Sequence, residues 1–146
     1  MNILVCIKQV PDIEKIKVDS AKRMMIMEGV PLIVNQYDTY ALETAVRIKD
    51  ADPSTKVVVV TMGPAQTKDA LKSCLSVGAD KAYMISDDVL NDSDTLATSY
   101  VLSAAVKAIE AREGAAFDMI MCGKQSADGD TGHVGPQLAE YLFAHA

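Results

Sequence analysis

The run Cys122-Gly-Lys-Gln-Ser-Ala-Asp-Gly-Asp-Thr-Gly-His-Val-Gly-Pro136 joins an apolar, β-like segment (117–121) to a helical pattern. Proline fits only the first turn of a helix, so Pro136 predicts that regular helix begins at about residues 132–135. Gly129, Gly132 and Gly135 free the backbone to approach a ligand, and the first N–H groups of a helix are unpaired at its positive end. A strand, a glycine-rich turn and a helix start therefore predict a cradle for an anion such as phosphate.

The spacing of these glycines matches neither the G-x-G-x-x-G fingerprint nor the G-x-x-x-x-G-K-[ST] loop. An ordinary strand-to-helix connection would also use Gly, Asp and Thr. Asp128 and Asp130 would repel a phosphate, so they are expected to cap backbone N–H groups or to hold ribose hydroxyls, with Lys124 or Lys8 supplying compensating charge. Local chemistry alone leaves a nucleotide cradle and an ordinary loop as open alternatives.

Composition indicates one globular domain over residues 1–146, because the chain is 49% hydrophobic and long enough to bury a core. A net charge of −6 without a basic cluster argues against nucleic acid and against an anionic membrane surface. No run is long enough for a membrane span, and Met1–Lys8 is predicted to be a first strand. Cys6, Cys74 and Cys122 lie in apolar segments, which is typical of reduced thiols in a cytoplasmic protein, and no metal-ligand spacing is present.

Apolar strands alternate with helical patterns along the chain. This alternation predicts an α/β fold, a three-layer α/β/α sandwich with a mainly parallel sheet. The predicted strands are 2–8, 56–62, 81–85 and 117–122, the predicted helices are 35–50, 65–77, 95–112 and 134–143, and a small hairpin is predicted over 16–18 and 24–27. Asp94 or Ser93 is expected to cap the third helix.

Ligands of parallel sheets bind beyond the carboxyl ends of the strands, so segments 6–11, 62–65, 86–95 and 123–134 are expected to share one rim. No catalytic set is found on this rim. His133 lies beside the proposed phosphate turn and His145 is one residue from the end, so the serines and threonines lack a base. A hydrolase acting on adenine nucleotides is therefore poorly supported.

Six segments together resemble one family, the small (β) subunit of electron-transfer flavoproteins. In chain order they are Val5-Cys-Ile-Lys-Gln-Val-Pro11, Asn35-Gln-Tyr-Asp-Thr-Tyr-Ala-Leu-Glu43, Thr61-Met-Gly-Pro64, Gly78-Ala-Asp80, Asp94-Thr-Leu-Ala-Thr98 and Gly123-Lys-Gln-Ser-Ala-Asp-Gly-Asp-Thr131. The resemblance implies an adenine-nucleotide-binding, Rossmann-like sandwich and a heterodimer with a larger, FAD-bearing α subunit.

The same resemblance implies a set of nucleotide-binding residues but no catalytic side chain and no metal ligand. Contacts are expected from the backbone around Cys6 and Met62 and from the side chain of Asn35. The N–H groups of residues 132–134, with the hydroxyl of Thr131, are the candidates for the phosphates. The full candidate set is Cys6, Asn35, Met62, Gly63, Asp94, Thr95, Thr98, Gly123, Asp128, Asp130, Thr131, Gly132, His133 and Val134.

The turn sequence distinguishes two nucleotides within the family. Members that hold only AMP tend to carry a turn resembling Asp-Asp-Asp followed by Asn-Gln-Thr-Gly, whereas this chain has Asp128-Gly-Asp-Thr-Gly132. Segment 94–98 is similar to the electron-bifurcating branch, whose β subunit binds a second FAD. FAD is therefore expected, with AMP as the alternative, and the hydroxyls of Thr95 and Thr98 would reach the flavin or its phosphates.

By resemblance, NADH would deliver a hydride to this flavin. One electron would then pass through the α-subunit flavin to an acyl-CoA or related dehydrogenase, and the other to ferredoxin or flavodoxin. Family members continue well beyond residue 146, which implies an amino-terminal portion of the family's length. Such a portion would bind nucleotide weakly, or as a homodimer that buries the sheet edge. The alternative function is an AMP-binding structural subunit or a nucleotide-binding module without redox activity.

Overall fold

Strands and helices alternate in the computed structural model, which describes residues 1–26 and 28–143. The strands are β1 Asn2–Cys6, β2 Gln9–Pro11, β3 Lys17–Asp19, β4 Met24–Ile26, β5 Leu32–Val34, β6 Lys56–Met62, β7 Lys81–Ile85 and β8 Met119–Cys122. The helices are α1 Gln36–Ala51, α2 Lys68–Val77, α3 Thr95–Glu113 and α4 Val134–Leu142. Met27, at the end of the predicted hairpin, and His145 lie outside the described residues.

One parallel sheet organises the molecule, with its strands in the order β7-β6-β1-β8. The central strands β1 and β6 are buried on both faces, which explains why they are continuous apolar runs rather than alternating ones. In this register Cys6 of β1 lies opposite Val60 of β6 on one side and Cys122 of β8 on the other. The carboxyl ends of these three strands therefore meet at one edge of the sheet.

Two apolar clusters hold the three layers together, one on each face of the sheet. In β1 and β6, odd-numbered residues such as Val5 and Val59 pack against α1 and α2, whereas even-numbered ones such as Leu4 and Val60 pack against α3 and α4. Successive side chains of a strand point to opposite faces, so this division follows from the two-residue period. The predicted α/β/α sandwich is confirmed. Among the described residues, no helix is both long and apolar enough to cross a bilayer.

A second small antiparallel pair was not expected from the sequence. β3 and β4 form the predicted hairpin, but β2, which lies outside the predicted strands, pairs with β5. Pro11 is tolerated because both strands of a two-stranded sheet are edge strands. The pairing returns the chain to the end of β1, where the Asn35 N–H donates to the Lys8 carbonyl at 2.8 Å. It thereby positions the start of α1 beside the carboxyl end of the sheet.

Candidate functional site

A cleft of about 530 Å³ lies at the carboxyl ends of β1, β6 and β8, between the starts of α3 and α4. Every candidate residue named from the sequence lines it except Asp128 and Asp130. The residues brought together are Cys6, Asn35, Met62, Gly63, Asp94, Thr95, Thr98, Gly123, Thr131, Gly132, His133 and Val134. The expected rim is thus a single concave site rather than separate loop ends.

The turn before α4 leaves backbone donors facing outward from the helix start. Gly132 has a φ of +66°, a left-handed conformation that side chains disfavour, and a Cβ there would lie 3.2 Å from the Lys124 carbonyl oxygen. His133 is the N-cap residue of α4, and its side chain makes no capping hydrogen bond. Within residues 1–26 and 28–143, the N–H groups of Gly132, His133 and Val134 have no acceptor. Three unpaired donors at a helix start suit an anion.

The two carboxylates of this turn are held away from the cleft. The Lys8 ammonium contacts Asp128 Oδ1 at 2.7 Å and Ser126 Oγ at 3.3 Å, so Lys8 supplies the expected compensating charge. Partial burial opposes ionisation of Asp128, but these two partners keep its pKa below the usual range. Asp130 accepts a hydrogen bond from the Gln125 side chain. Among the described residues, neither carboxylate caps the start of α4; the sequence had predicted that they cap backbone N–H groups or hold ribose hydroxyls.

The Asn35 side chain, for which the resemblance implies a ligand contact, lines the cleft and also holds one of its loops. It is buried, its Nδ2 donates to the Gln125 carbonyl at 2.8 Å, and its Oδ1 accepts from the Ala127 N–H at 3.1 Å. Both polar groups of the amide therefore hold the loop that follows β8. Asn35 shapes the wall of the cleft because it fixes this loop to the start of α1.

The start of α3 forms the opposite wall. Asp94 caps the helix, since its Oδ1 accepts from the Ala97 N–H at 2.8 Å, as the sequence predicted. Thr95 and Thr98 lie on the cleft wall within the first turn of the same helix. The Asp94 carboxylate is therefore already used by backbone, and the two hydroxyl-bearing residues remain as the polar groups that α3 offers to a ligand.

Asp38 is the site residue that sequence reasoning missed. Its carboxylate is buried, with Oδ2 accepting from the Lys8 N–H at 2.7 Å and Oδ1 accepting from the Gly123 N–H at 3.1 Å. These N–H groups follow β1 and β8, so one side chain of α1 ties both strand ends together beneath the cleft. Asp38 shares the buried face of α1 with Leu42 and Ala45. The sequence did carry a signal for this role, because Asp38 is a carboxylate on the apolar face of a predicted helix.

Burial raises the pKa of Asp38 to about 6, although hydrogen bonds from Lys8, Asn35 and Gly123 oppose the shift. The folded chain holds this proton more tightly than the unfolded chain, whose value is 3.8. The stabilising contribution is therefore complete below about pH 4 and is lost as the pH rises through about 6. Over that window it amounts to about 3 kcal/mol.

We expect the substitution Asp38→Asn to abolish this pH dependence, because the amide cannot take up the proton. Urea unfolding of both proteins from about pH 4.5 to about pH 7.5 measures the difference in free energy of unfolding. This range spans the folded pKa of Asp38. On acidification over this range the wild type should gain about 2 kcal/mol of stability relative to the variant. Glu43→Gln, on the exposed side of the same helix, is the matched control. A difference that does not vary with pH would show that Asp38 titrates normally.

Known proteins are similar to this chain over nearly its whole length. A family model for the electron transfer flavoprotein domain matches residues 22–145. The chain is 52% identical over 140 residues to the electron transfer flavoprotein subunit beta of Megasphaera elsdenii, covering 95% of this chain and 52% of that protein. It is 47% identical over 142 residues to the caffeyl-CoA reductase-Etf complex subunit CarD of Acetobacterium woodii, covering 97% of this chain and 52% of that protein. Protein FixA of Azotobacter vinelandii is 49% identical over 142 residues, or 97% and 50% of the two chains. The chain thus spans about half the length of these curated relatives.

Proposed function

Since the chain belongs to the electron transfer flavoprotein family, we propose that its cleft binds an adenine nucleotide and that this nucleotide is FAD. One observation carries the proposal: segments far apart in sequence meet around a single cleft at the carboxyl ends of three parallel strands. Nucleotides bind parallel sheets in this position. The volume of the cleft, about 530 Å³, also lies within the range typical of cofactor sites.

The donors of the α4 turn suit the phosphates of the nucleotide. The N–H groups of residues 132–134 are unpaired within the described chain, and the positive end of the α4 dipole favours negative charge there. The Lys8 contact removes the repulsion that Asp128 would otherwise exert. We assign the phosphates to this turn, with the Thr131 hydroxyl as an additional donor.

The wall formed by α3 favours FAD over AMP. The cleft continues from the α4 turn to Thr95 and Thr98, so it has a second polar wall beyond the phosphate donors. A dinucleotide would engage both walls, whereas AMP would engage one. Bound flavin would accept a hydride and release electrons singly, and the residues of this chain would hold it and tune its environment through hydroxyl contacts.

We further propose that the chain acts as the nucleotide-binding part of a β subunit that pairs with an α subunit carrying its own FAD. NADH is the proposed electron donor, and the proposed acceptors are an acyl-CoA or related dehydrogenase and a ferredoxin or flavodoxin. The name of the relative CarD, a subunit of a caffeyl-CoA reductase-Etf complex, favours an acyl-CoA enzyme on the acceptor side. The free thiols of Cys6, Cys74 and Cys122 favour the cytoplasm as the location.

Titration of nucleotide-free protein with FAD and with AMP tests this function. We expect FAD to bind more tightly, and Thr98→Val to weaken FAD binding by about fivefold to tenfold, because one hydroxyl contact is lost. AMP binding should not change in this variant. Thr44→Val, on the exposed side of α1, is the matched control, since its hydroxyl donates to the Tyr40 carbonyl of its own helix. AMP binding as tight as FAD binding would contradict the assignment of α3 to the flavin half.

A further inference from the structure

Two cysteines lie side by side on the floor of the cleft. Cys6 and Cys122 are register partners on the neighbouring strands β1 and β8, and both face the layer formed by α3 and α4. Adjacent strands are about 4.8 Å apart, which falls within the Cα separation that a disulfide needs. Both residues line the cleft, so the pair can be reached from it.

The two thiols differ in their surroundings. Cys122 lies beneath the first turn of α4, where a Cβ at Gly135 would be 4.0 Å from its Sγ, and a helix start stabilises a thiolate. The Cys6 thiol beside it lowers the pKa of Cys122, against burial and the Asp38 carboxylate. The same contact, together with burial, raises the pKa of Cys6 well above its usual range. Cys122 therefore ionises first, and Cys6 is the more protected partner.

We propose that Cys6 and Cys122 form a dithiol site that low-molecular-weight disulfides oxidise to an internal disulfide, and that a nucleotide in the cleft shields it. The disulfide is inferred from the geometry of the two strands alone. The shielding by a nucleotide rests on the proposed function.

The reaction is a balanced thiol–disulfide exchange. The Cys122 thiolate attacks one sulfur of glutathione disulfide, which breaks the S–S bond and releases one glutathione thiolate. Cys6 then loses its proton to solvent and attacks the Cys122 sulfur, which releases the second glutathione. The protein loses two electrons and two protons in forming one S–S bond, and glutathione disulfide is reduced to two thiols. The product links the ends of β1 and β8 directly beneath the ligand site.

Mass analysis of the reduced, nucleotide-free chain treated with glutathione disulfide tests whether the Cys6–Cys122 disulfide forms. After alkylation and digestion we expect a peptide pair linked through Cys6 and Cys122, with the mass of two hydrogen atoms lost. Cys74 should remain alkylated, because it is buried on the other face of the sheet. Three alkylated cysteines, a link through Cys74, or a stable glutathione adduct without a link would overturn the proposal.

Single variants identify the order of attack. Cys6→Ser should accumulate a glutathione adduct on Cys122, because no second thiol resolves it, whereas Cys122→Ser should react far more slowly. Cys74→Ser is the matched control and should form the Cys6–Cys122 link at the wild-type rate. An adduct that forms first on Cys6 would contradict the roles given to the two thiols. The wild-type experiment decides the existence of the site even where a variant folds poorly.

Adding FAD before the oxidant tests the shielding separately from the formation of the disulfide. At a concentration about 100 times its dissociation constant, FAD should slow the formation of the link about 100-fold, because the free cleft becomes rare. Rapid disulfide formation in protein that demonstrably holds FAD would contradict the proposed shielding. Linking in a chain that binds no FAD would contradict the proposed function and leave the dithiol site supported.

Discussion

Replacing Gly123 with alanine is expected to lower the free energy of unfolding by about 3–5 kcal/mol. A Cβ at this position would overlap Asp38 Oδ1 and would lie 2.8 Å from both the Asp38 nitrogen and the Tyr37 carbonyl carbon. Two of these three atoms belong to backbone, so they cannot turn aside. The start of α1 would have to move away from the end of β8. This movement would break the hydrogen bond from the Gly123 N–H to Asp38.

Urea denaturation of the purified variant measures this loss, and circular dichroism verifies that the variant is folded at the start. Gly129→Ala is the matched control in the same loop. A Cβ there would meet only the Ser126 hydroxyl at 3.2 Å, which is the end of a side chain that can rotate. We expect this control to stay within about 0.5 kcal/mol of the wild type. Equal losses in both variants would contradict the close packing of α1 against β8.

Replacing His133 with glutamate is expected to weaken nucleotide binding by about 30- to 100-fold. His133 is exposed and is the N-cap residue of α4, so the new carboxylate would lie beside the donors that we assign to the phosphates. The same charge is favourable for the helix itself, because it complements the positive end of the dipole. Affinity and stability should thus change in opposite directions, and a general loss of folding could not produce that result.

Calorimetric titration with FAD gives the affinity, and thermal unfolding without nucleotide gives the stability. His133→Gln is the matched control, since it has a neutral polar side chain of similar size. It should bind FAD within about threefold of the wild type. Unchanged FAD affinity in His133→Glu would place the phosphates elsewhere in the cleft.

Local sequence patterns were sufficient to predict the layers and the position of the site. Val57–Val60 form a continuous apolar run, which is typical of a strand buried on both faces, and Pro136 fixed the start of the last helix. Ligands of parallel sheets bind beyond the carboxyl ends of the strands, so the position of the site could be predicted without knowing the strand order. The capping role of Asp94 was also local, because donor and acceptor lie three residues apart.

Contacts between distant residues were not predictable in the same way. Asp38 binds N–H groups that lie 30 and 85 residues away, so no window of sequence contains the three partners. The pairing of β2 with β5 was missed because each strand is only three residues long and the partners are more than twenty residues apart in sequence. The structural role of Asn35 was missed for a related reason, since only the fold shows that its side chain bonds the loop after β8 through both of its polar groups.

We propose that this cleft holds FAD, and the test is to identify the nucleotide that the protein carries as purified. Denaturing the protein and identifying the released compound by absorbance and mass, followed by titration of the emptied chain, requires no variant. We expect FAD to be released, or to be taken up tightly by the emptied protein. Release of AMP alone, or failure of the emptied chain to bind added FAD, would contradict the claim.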